Sequence, residues 1–174
     1  GPQGQALVVH LSTRLPADLW VVEVREGAHP FMHAQAGWTL ALPAGGAVEL
    51  LAPYSRSRGR LWVAALRLPD PLLTYLAVHG RPIRYGYVHG RWPIAAYQNV
   101  YAIEPGSAEM PSAGRPFSPD VITRLVAKGV RVAPVVLHTG VSSLEAHEPP
   151  YPEQFRVSAH TAHAVNDTHH EGGR

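Results

Sequence analysis

The triplet His138-Thr139-Gly140 follows an apolar run over residues 130–137, and its histidine stands where chemistry is easiest to place. A near-continuous apolar run reads as a strand buried on both faces. The C-terminal end of such a strand in an α/β unit is where ligands commonly bind. An imidazole titrates near neutrality, so His138 suits hydrogen bonding or proton transfer. It serves as readily as a satisfied structural histidine. Upstream, residues 104–117 carry Glu104-Pro105-Gly106-Ser107-Ala108-Glu109-Met110-Pro111-Ser112-Ala113-Gly114-Arg115-Pro116-Phe117, which breaks any helix or strand. A loop this long in a compact domain is usually functional or disordered. Its small residues suit tight backbone packing, which favours the functional reading. Beyond His138, residues 141–152 hold Glu145, His147 and Glu148, with Glu153 just after them. Carboxylates there suit ribose hydroxyls or an amine, or form a solvated rim.

Arginine is the second chemical signal. Fourteen of the fifteen basic residues are Arg, and Lys128 is the one lysine. Arginine forks onto phosphates and stacks on bases, which lysine does not. A GC-rich genome, with its Ala, Gly and Pro codons, produces the same bias. Arg56, Arg58 and Arg60 stand beside Tyr54 in one loop. Arg81, Arg84 and Arg91 mix with Tyr85, Tyr87 and Trp92 in the densest basic-aromatic cluster of the chain. Charge with aromatics is a recipe for gripping nucleic acid; a solvated hairpin tip and an amphipathic connector are the alternatives. His160 and His163, three apart on a helix, can share a face, but spacing fixes no third ligand, so no metal is expected. The phosphate loop, the dinucleotide fingerprint, the nucleophile elbow and the zinc-protease motif are all absent.

Two kinds of element must position these residues. Over residues 6–67 the apolar residues alternate. Leu7, Val9 and Leu11 share one face of a strand with His10 and Ser12 opposite, and Trp20, Val22 and Val24 alternate with Val21, Glu23 and Arg25. Similar alternation around Trp38–Leu42, Val48–Leu50 and Leu61–Leu66 gives five short strands with turns between them, the pattern of an antiparallel barrel or sandwich. The pattern then changes. Asp70-Pro71 opens a helix with Leu72, Leu73 and Leu76 as its apolar face and Gly80 as its stop. Ser118-Pro119 caps a second helix that ends at Gly129, and a last helix starts near Ser158 and runs to about Asn166. The expected architecture is therefore mixed α+β: a small antiparallel β-barrel over 1–69, then part of an α/β domain over 70–174 that carries the site loops.

The 174 residues include no cysteine, so disulfides and cysteine metal sites are excluded. No apolar run approaches the roughly 20 residues of a bilayer span, and no signal-peptide pattern opens the chain. A cytoplasmic protein, without a membrane partner and most simply a monomer, is the expectation. The glycine-rich ends suggest part of something longer.

Residues 97–140 also resemble a known family. Tyr97-Gln98-Asn99-Val100-Tyr101, Pro105-Gly106-Ser107, Pro111-Ser112-Ala113-Gly114 with Phe117, Ala127-Lys128-Gly129-Val130 and Leu137-His138-Thr139-Gly140 match, in order and spacing, the motifs of the S-adenosylmethionine:tRNA ribosyltransferase-isomerases of queuosine synthesis. The resemblance implies transfer and isomerisation of the ribosyl part of S-adenosylmethionine onto the deazaguanine base preQ1 in tRNA, giving epoxyqueuosine. S-adenosylmethionine is then a substrate, tRNA a partner, and no cofactor or metal is required. It implies a substrate pocket of Tyr97, Gln98, Gly106, Ser107, Pro111, Ser112, Ala113, Gly114, Gly140 and Glu153, with His138 for proton transfer. Arg56, Arg58, Arg81, Arg84 and Arg91 become candidates for the tRNA backbone. The chain departs from the family where Pro116 replaces a histidine, and where Val141-Ser142-Ser143-Leu144 replaces a glycine- and aromatic-containing run. Those departures suggest a divergent subgroup. The alternatives are an enzyme of the same fold with a non-tRNA acceptor and a non-catalytic RNA-binding barrel.

Overall fold

A computed structural model describes residues 4–54, 59–84, 87–109, 112–141 and 151–173. Six strands form the N-terminal sheet: β1 (Val8–Arg14), β2 (Leu19–Glu26), β3 (His29–Pro30), β4 (Thr39–Ala41), β5 (Ala47–Pro53) and β6 (Leu61–Arg67). All pairings are antiparallel, in the order β1-β2-β6-β5-β4, with β3 on β2. One face of the long strands supplies the main core. Val22, Val24, Val48, Leu50 and Ala64 are fully buried, and Leu40 and Trp62 nearly so. Val9 and Leu11 from β1 and Leu42 beyond β4 pack on the same cluster. Val9 also pairs with Val24 across the β1–β2 ladder. Strands at both ends of the path thus share one core, which requires the sheet to curl. Burying each large aliphatic side chain contributes about 1.5–3 kcal/mol.

The curled sheet is a half-barrel among the described residues: its path ends at β1 and β4. The antiparallel expectation holds, with the expected barrel seen as a curled half-barrel among the described residues. Among the described residues three α-helices and a second sheet follow, giving a mixed α+β architecture.

Helix α1 (Leu72–His79) starts with Pro71, not Asp70, at its N-cap, and no side chain caps it. Pro71 has an extended ψ of 141°, which keeps it outside the helix. The expected leucine face is also displaced. Leu73 is 57% exposed, and Tyr75 is the buried residue, its hydroxyl donating to the Pro43 carbonyl at 2.8 Å. That bond docks α1 on the turn between β4 and β5.

Helix α2 (Pro119–Ala127) matches its sequence signals. The Ser118 hydroxyl accepts from Val121 N–H at 3.2 Å, and Pro119 opens the first turn. Gly129, at φ 82°, takes the left-handed conformation that ends the helix. Strand β7 (Val135–His138) pairs antiparallel with β8 (Gln154–Val157). Its expected burial on both faces is not observed. Val135 and Leu137, with their cross-strand partners Val157 and Phe155, form one exposed apolar face. An apolar run specifies a strand but not what covers it. Helix α3 (Ala159–His170) is capped by the Ser158 hydroxyl and runs one turn beyond the expected end. No helix among the described residues is long and apolar enough to cross a membrane.

Candidate active site

The site is a seam between the outer face of the curled sheet and the end of β7. It starts from the loop before α2. Ser107 Oγ donates to the Leu137 carbonyl at 3.2 Å and accepts from Thr139 N–H at 3.4 Å. Ala108 N–H donates to the Thr139 carbonyl at 2.8 Å, and Thr139 Oγ1 donates to the Glu109 carbonyl at 3.2 Å. These bonds lay residues 107–109 along the end of β7. Gly106 then lies against the imidazole of His138: a Cβ there would sit 2.6 Å from both Cε1 and Nδ1. Only a glycine permits that approach. An ion pair between Glu104 and Arg156 ties the start of the loop to β8.

The β1 strand supplies the other wall. Ser12 Oγ, buried, accepts from Val141 N–H at 2.9 Å. A Cβ on Gly140 would lie 2.9 Å from Ser12 Oγ and 3.3 Å from Thr13 Oγ1, so this glycine too is required by close approach. Glu153 Oε1 accepts from Gly140 N–H at 3.0 Å, and Gln154 Nε2 donates to the Arg14 carbonyl at 2.9 Å. Val21, Leu61 and Val141 form a small second core under this seam. A cleft of about 230 Å³ opens between Ser12 and Thr13 on one side and Gly140 and Glu153 on the other.

Beneath the same face lies a buried charge cluster. Glu23, fully buried on β2, accepts from Arg25 Nη1 at 3.0 Å and from Arg60 Nη1 at 3.1 Å. His10 Nδ1, its register neighbour on β1, is 3.7 Å from the carboxylate. Burial holds the His10 imidazole below its usual pKa. Glu23 and Glu109 pull it upward and Arg25 pushes it further down, but burial dominates. Burial therefore disfavours the protonated form of His10, and with it an ion pair to Glu23. Arg60, which the sequence grouped with a solvated or nucleic-acid-gripping loop, is instead 4% exposed and held by Glu23.

Of the site residues expected from the sequence, Gly106, Ser107, His138, Gly140 and Glu153 converge on this seam. Ser112, Ala113 and Gly114 form a short 3-10 turn packed elsewhere. A Cβ on Gly114 would meet Asn99 Nδ2 at 2.8 Å and the Tyr101 hydroxyl at 3.1 Å. Tyr97 ends a turn over Ile94–Tyr97, with its hydroxyl buried and without a hydrogen-bond partner among the described residues. Gln98, next to it, is exposed. Arg81, Arg84 and Arg91 are exposed, and Arg84 Nη1 donates to the Gly90 carbonyl at 2.6 Å. Pro111, Arg56, Arg58, Tyr85, Glu145, His147 and Glu148 lie outside the described residues. His160 and His163 are exposed on α3, and no cluster of three metal-ligating side chains occurs among the described residues.

Sequence reasoning missed Ser12, Thr13 and the Glu23 cluster. Their signal was present in the polar face of β1 and β2, where His10, Ser12 and Glu23 alternate with the core residues. That face is covered, not solvated.

The family model for the queuosine biosynthesis protein matches residues 2–174. The S-adenosylmethionine:tRNA ribosyltransferase-isomerase of Thermotoga petrophila is 28% identical over 179 residues, covering 98% of this chain and 50% of the relative. The enzyme of the same name from Thermus thermophilus is 33% identical over 119 residues, covering 64% of this chain and 34% of the relative. That from Geobacter sulfurreducens is 27% identical over 176 residues, covering 90% and 50%. The chain spans about half the length of the first of these relatives. No solved structure matches it significantly. With the family model matched over residues 2–174, the chain belongs to the queuosine biosynthesis protein family.

Proposed function

We propose that this chain contributes the substrate seam of an enzyme that moves and isomerises the ribosyl group of S-adenosylmethionine onto preQ1 in tRNA, giving epoxyqueuosine. The observation that carries this reading is the close approach of Gly106 to His138, with Ser107 bonded on either side of that histidine. Two of the segments that resemble the family, Gly106-Ser107 and Leu137–Gly140, are brought together there. His138 is half-buried at the strand end. The sulfonium of S-adenosylmethionine acidifies the neighbouring ribose carbon, so the reaction needs a base, and departing adenine needs a proton. We assign one of these transfers to His138. The sulfonium supplies the activation, so the chemistry calls for no metal or further cofactor. Arg81, Arg84 and Arg91 offer exposed guanidiniums to the tRNA backbone, a contact whose strength falls steeply with salt.

The test uses the full-length protein with S-adenosylmethionine and tRNA bearing preQ1. Adenine release is expected to depend on that tRNA, and His138→Ala is expected to lower kcat by about 100-fold or more. Adenine release at the same rate without tRNA would overturn the reading. Pro116, where the family has a histidine, favours one rival, a non-tRNA acceptor. Adenine release with the free base but not with tRNA would select it.

A further inference from the structure

The loop that meets the end of β7 carries two carboxylates. Glu104 pairs with Arg156 and so ties the loop to β8. Glu109 is half-buried beside β1, where its charge acts on His10. Its main chain is fixed at the same place. Thr139 Oγ1 donates to the Glu109 carbonyl at 3.2 Å, and Ala108 N–H donates to the Thr139 carbonyl at 2.8 Å. Ala108 also packs on the small core of Val21, Leu61 and Val141. Glu109 therefore stands between the sheet and the residue that follows His138.

The sheet has a use for a carboxylate there. Arg25 and Arg60 both donate to Glu23, and the Arg60 side chain is 4% exposed. The other Arg25 nitrogen donates to the Ala28 carbonyl, which carries no charge. Two guanidiniums thus share one carboxylate, an excess of one positive charge. Unmatched charge in a poorly solvated place is costly, and a second carboxylate close by offsets it. Glu109 has the sign and the place. With Glu23 it is one of the two carboxylates among the described residues whose charge reaches His10, itself 3.7 Å from Glu23. We propose that Glu109 is the counter-charge of the Glu23–Arg25–Arg60 cluster and, through it, a positioning residue for His138. The charge pins residues 107–109 to the sheet, and Gly106 and Ser107 then hold the imidazole from the loop side. The consequence for turnover rests on the proposed reaction; the consequence for the loop does not.

Amide hydrogen exchange on the full-length protein tests it in wild type, Glu109→Gln, Arg25→Gln and the double variant. Glu109→Gln keeps the shape and removes the charge. Arg25→Gln removes the excess positive charge and leaves Arg60 on Glu23. Glu109→Gln is expected to speed exchange at Ala108 and Thr139 about tenfold in the wild-type background. In the Arg25→Gln background, where the excess is already gone, the same change should speed it by no more than about twofold. The Val22 and Val48 amides of the main core should keep their rates within about twofold throughout. Unchanged exchange at Ala108 and Thr139, or equal acceleration in both backgrounds, overturns the counter-charge. Acceleration of the core amides by the same factor as the loop also overturns it, by showing that Glu109 acts on the fold as a whole. Turnover gives the second readout. Glu109→Gln should lower kcat for adenine release about tenfold while KM for S-adenosylmethionine stays within about twofold. Glu109→Asp, which keeps the charge on a shorter arm, should recover part of that loss. An unchanged kcat beside faster loop exchange overturns the positioning role. Absence of adenine release from wild type would sink the proposed reaction instead, and the exchange coupling would still decide the counter-charge.

Discussion

Replacing Gly106 by alanine tests whether the loop holds His138 in place. The new Cβ would lie 2.6 Å from Cε1 and Nδ1 and 2.9 Å from Cγ. Ordinary carbon contacts begin near about 3.5 Å, so about 0.9 Å must be given up. Turning the ring about χ2 does not help enough, because Cγ stays where it is. Relief requires a new χ1 for His138 or a shift of the loop that stretches the Ser107 bonds to Leu137 and Thr139. Overpacking of this kind costs about 1–3 kcal/mol. The backbone at Gly106, with φ 155°, adds about 1 kcal/mol for any L-residue. The expected loss for Gly106→Ala is about 3 kcal/mol in all.

A double-mutant cycle isolates the contact. In a His138→Ala background the clash is gone, and Gly106→Ala should cost only the backbone contribution of about 1 kcal/mol. The coupling is then about 2 kcal/mol, well above the few tenths expected of independent sites. Urea unfolding followed by tryptophan fluorescence measures all four proteins. Equal costs of Gly106→Ala in the two backgrounds would refute the contact and, with it, the argument that the loop positions the histidine.

The buried cluster and its histidine give two further expectations. Glu23→Gln replaces the carboxylate that takes Arg25 and Arg60 and should cost about 3 kcal/mol, a fall in Tm on the order of 10 °C by thermal unfolding; an unchanged Tm would show that the cluster contributes little. The His10 pKa is depressed in the folded state, so the unfolded chain takes a proton first as pH falls below about 6.5, and folded stability declines from there toward the folded pKa. His10→Gln should flatten that part of the profile, measured as Tm from about pH 7.5 down to about pH 5; an identical slope in wild type and variant would count against burial as the dominant influence on His10.

What could be read from the chain depended on how local the information was. Helix α2 was legible because Ser118, Pro119 and Gly129 fix its ends within a few residues. Helix α1 was less so: Asp70-Pro71 resembles a cap and first turn, but only the backbone angles of Pro71 decide which residue starts the helix. The strands of the half-barrel were legible from their period of two. That period shows two faces without showing what meets the second one. Glu23 at full burial, with two guanidinium donors, looks in sequence like any solvated carboxylate on a polar strand face.

The site shows the same limit at longer range. Gly106, Ser107, His138 and Gly140 lie in segments whose residue types and order already marked them. Ser12 belongs to the site through a hydrogen bond to a residue 129 positions away, which no local pattern encodes. The bond also has a physical consequence. The main core of the half-barrel is a large aliphatic cluster, whereas the seam rests on Val21, Leu61 and Val141 with a few hydrogen bonds from Ser12, Glu153 and Gln154. Each such bond contributes only about 1 kcal/mol net. The sheet is therefore the rigid member and the end of β7 the adjustable one, so the wall built from Ser12 and Thr13 sets the shape to which His138, Gly140 and Glu153 conform.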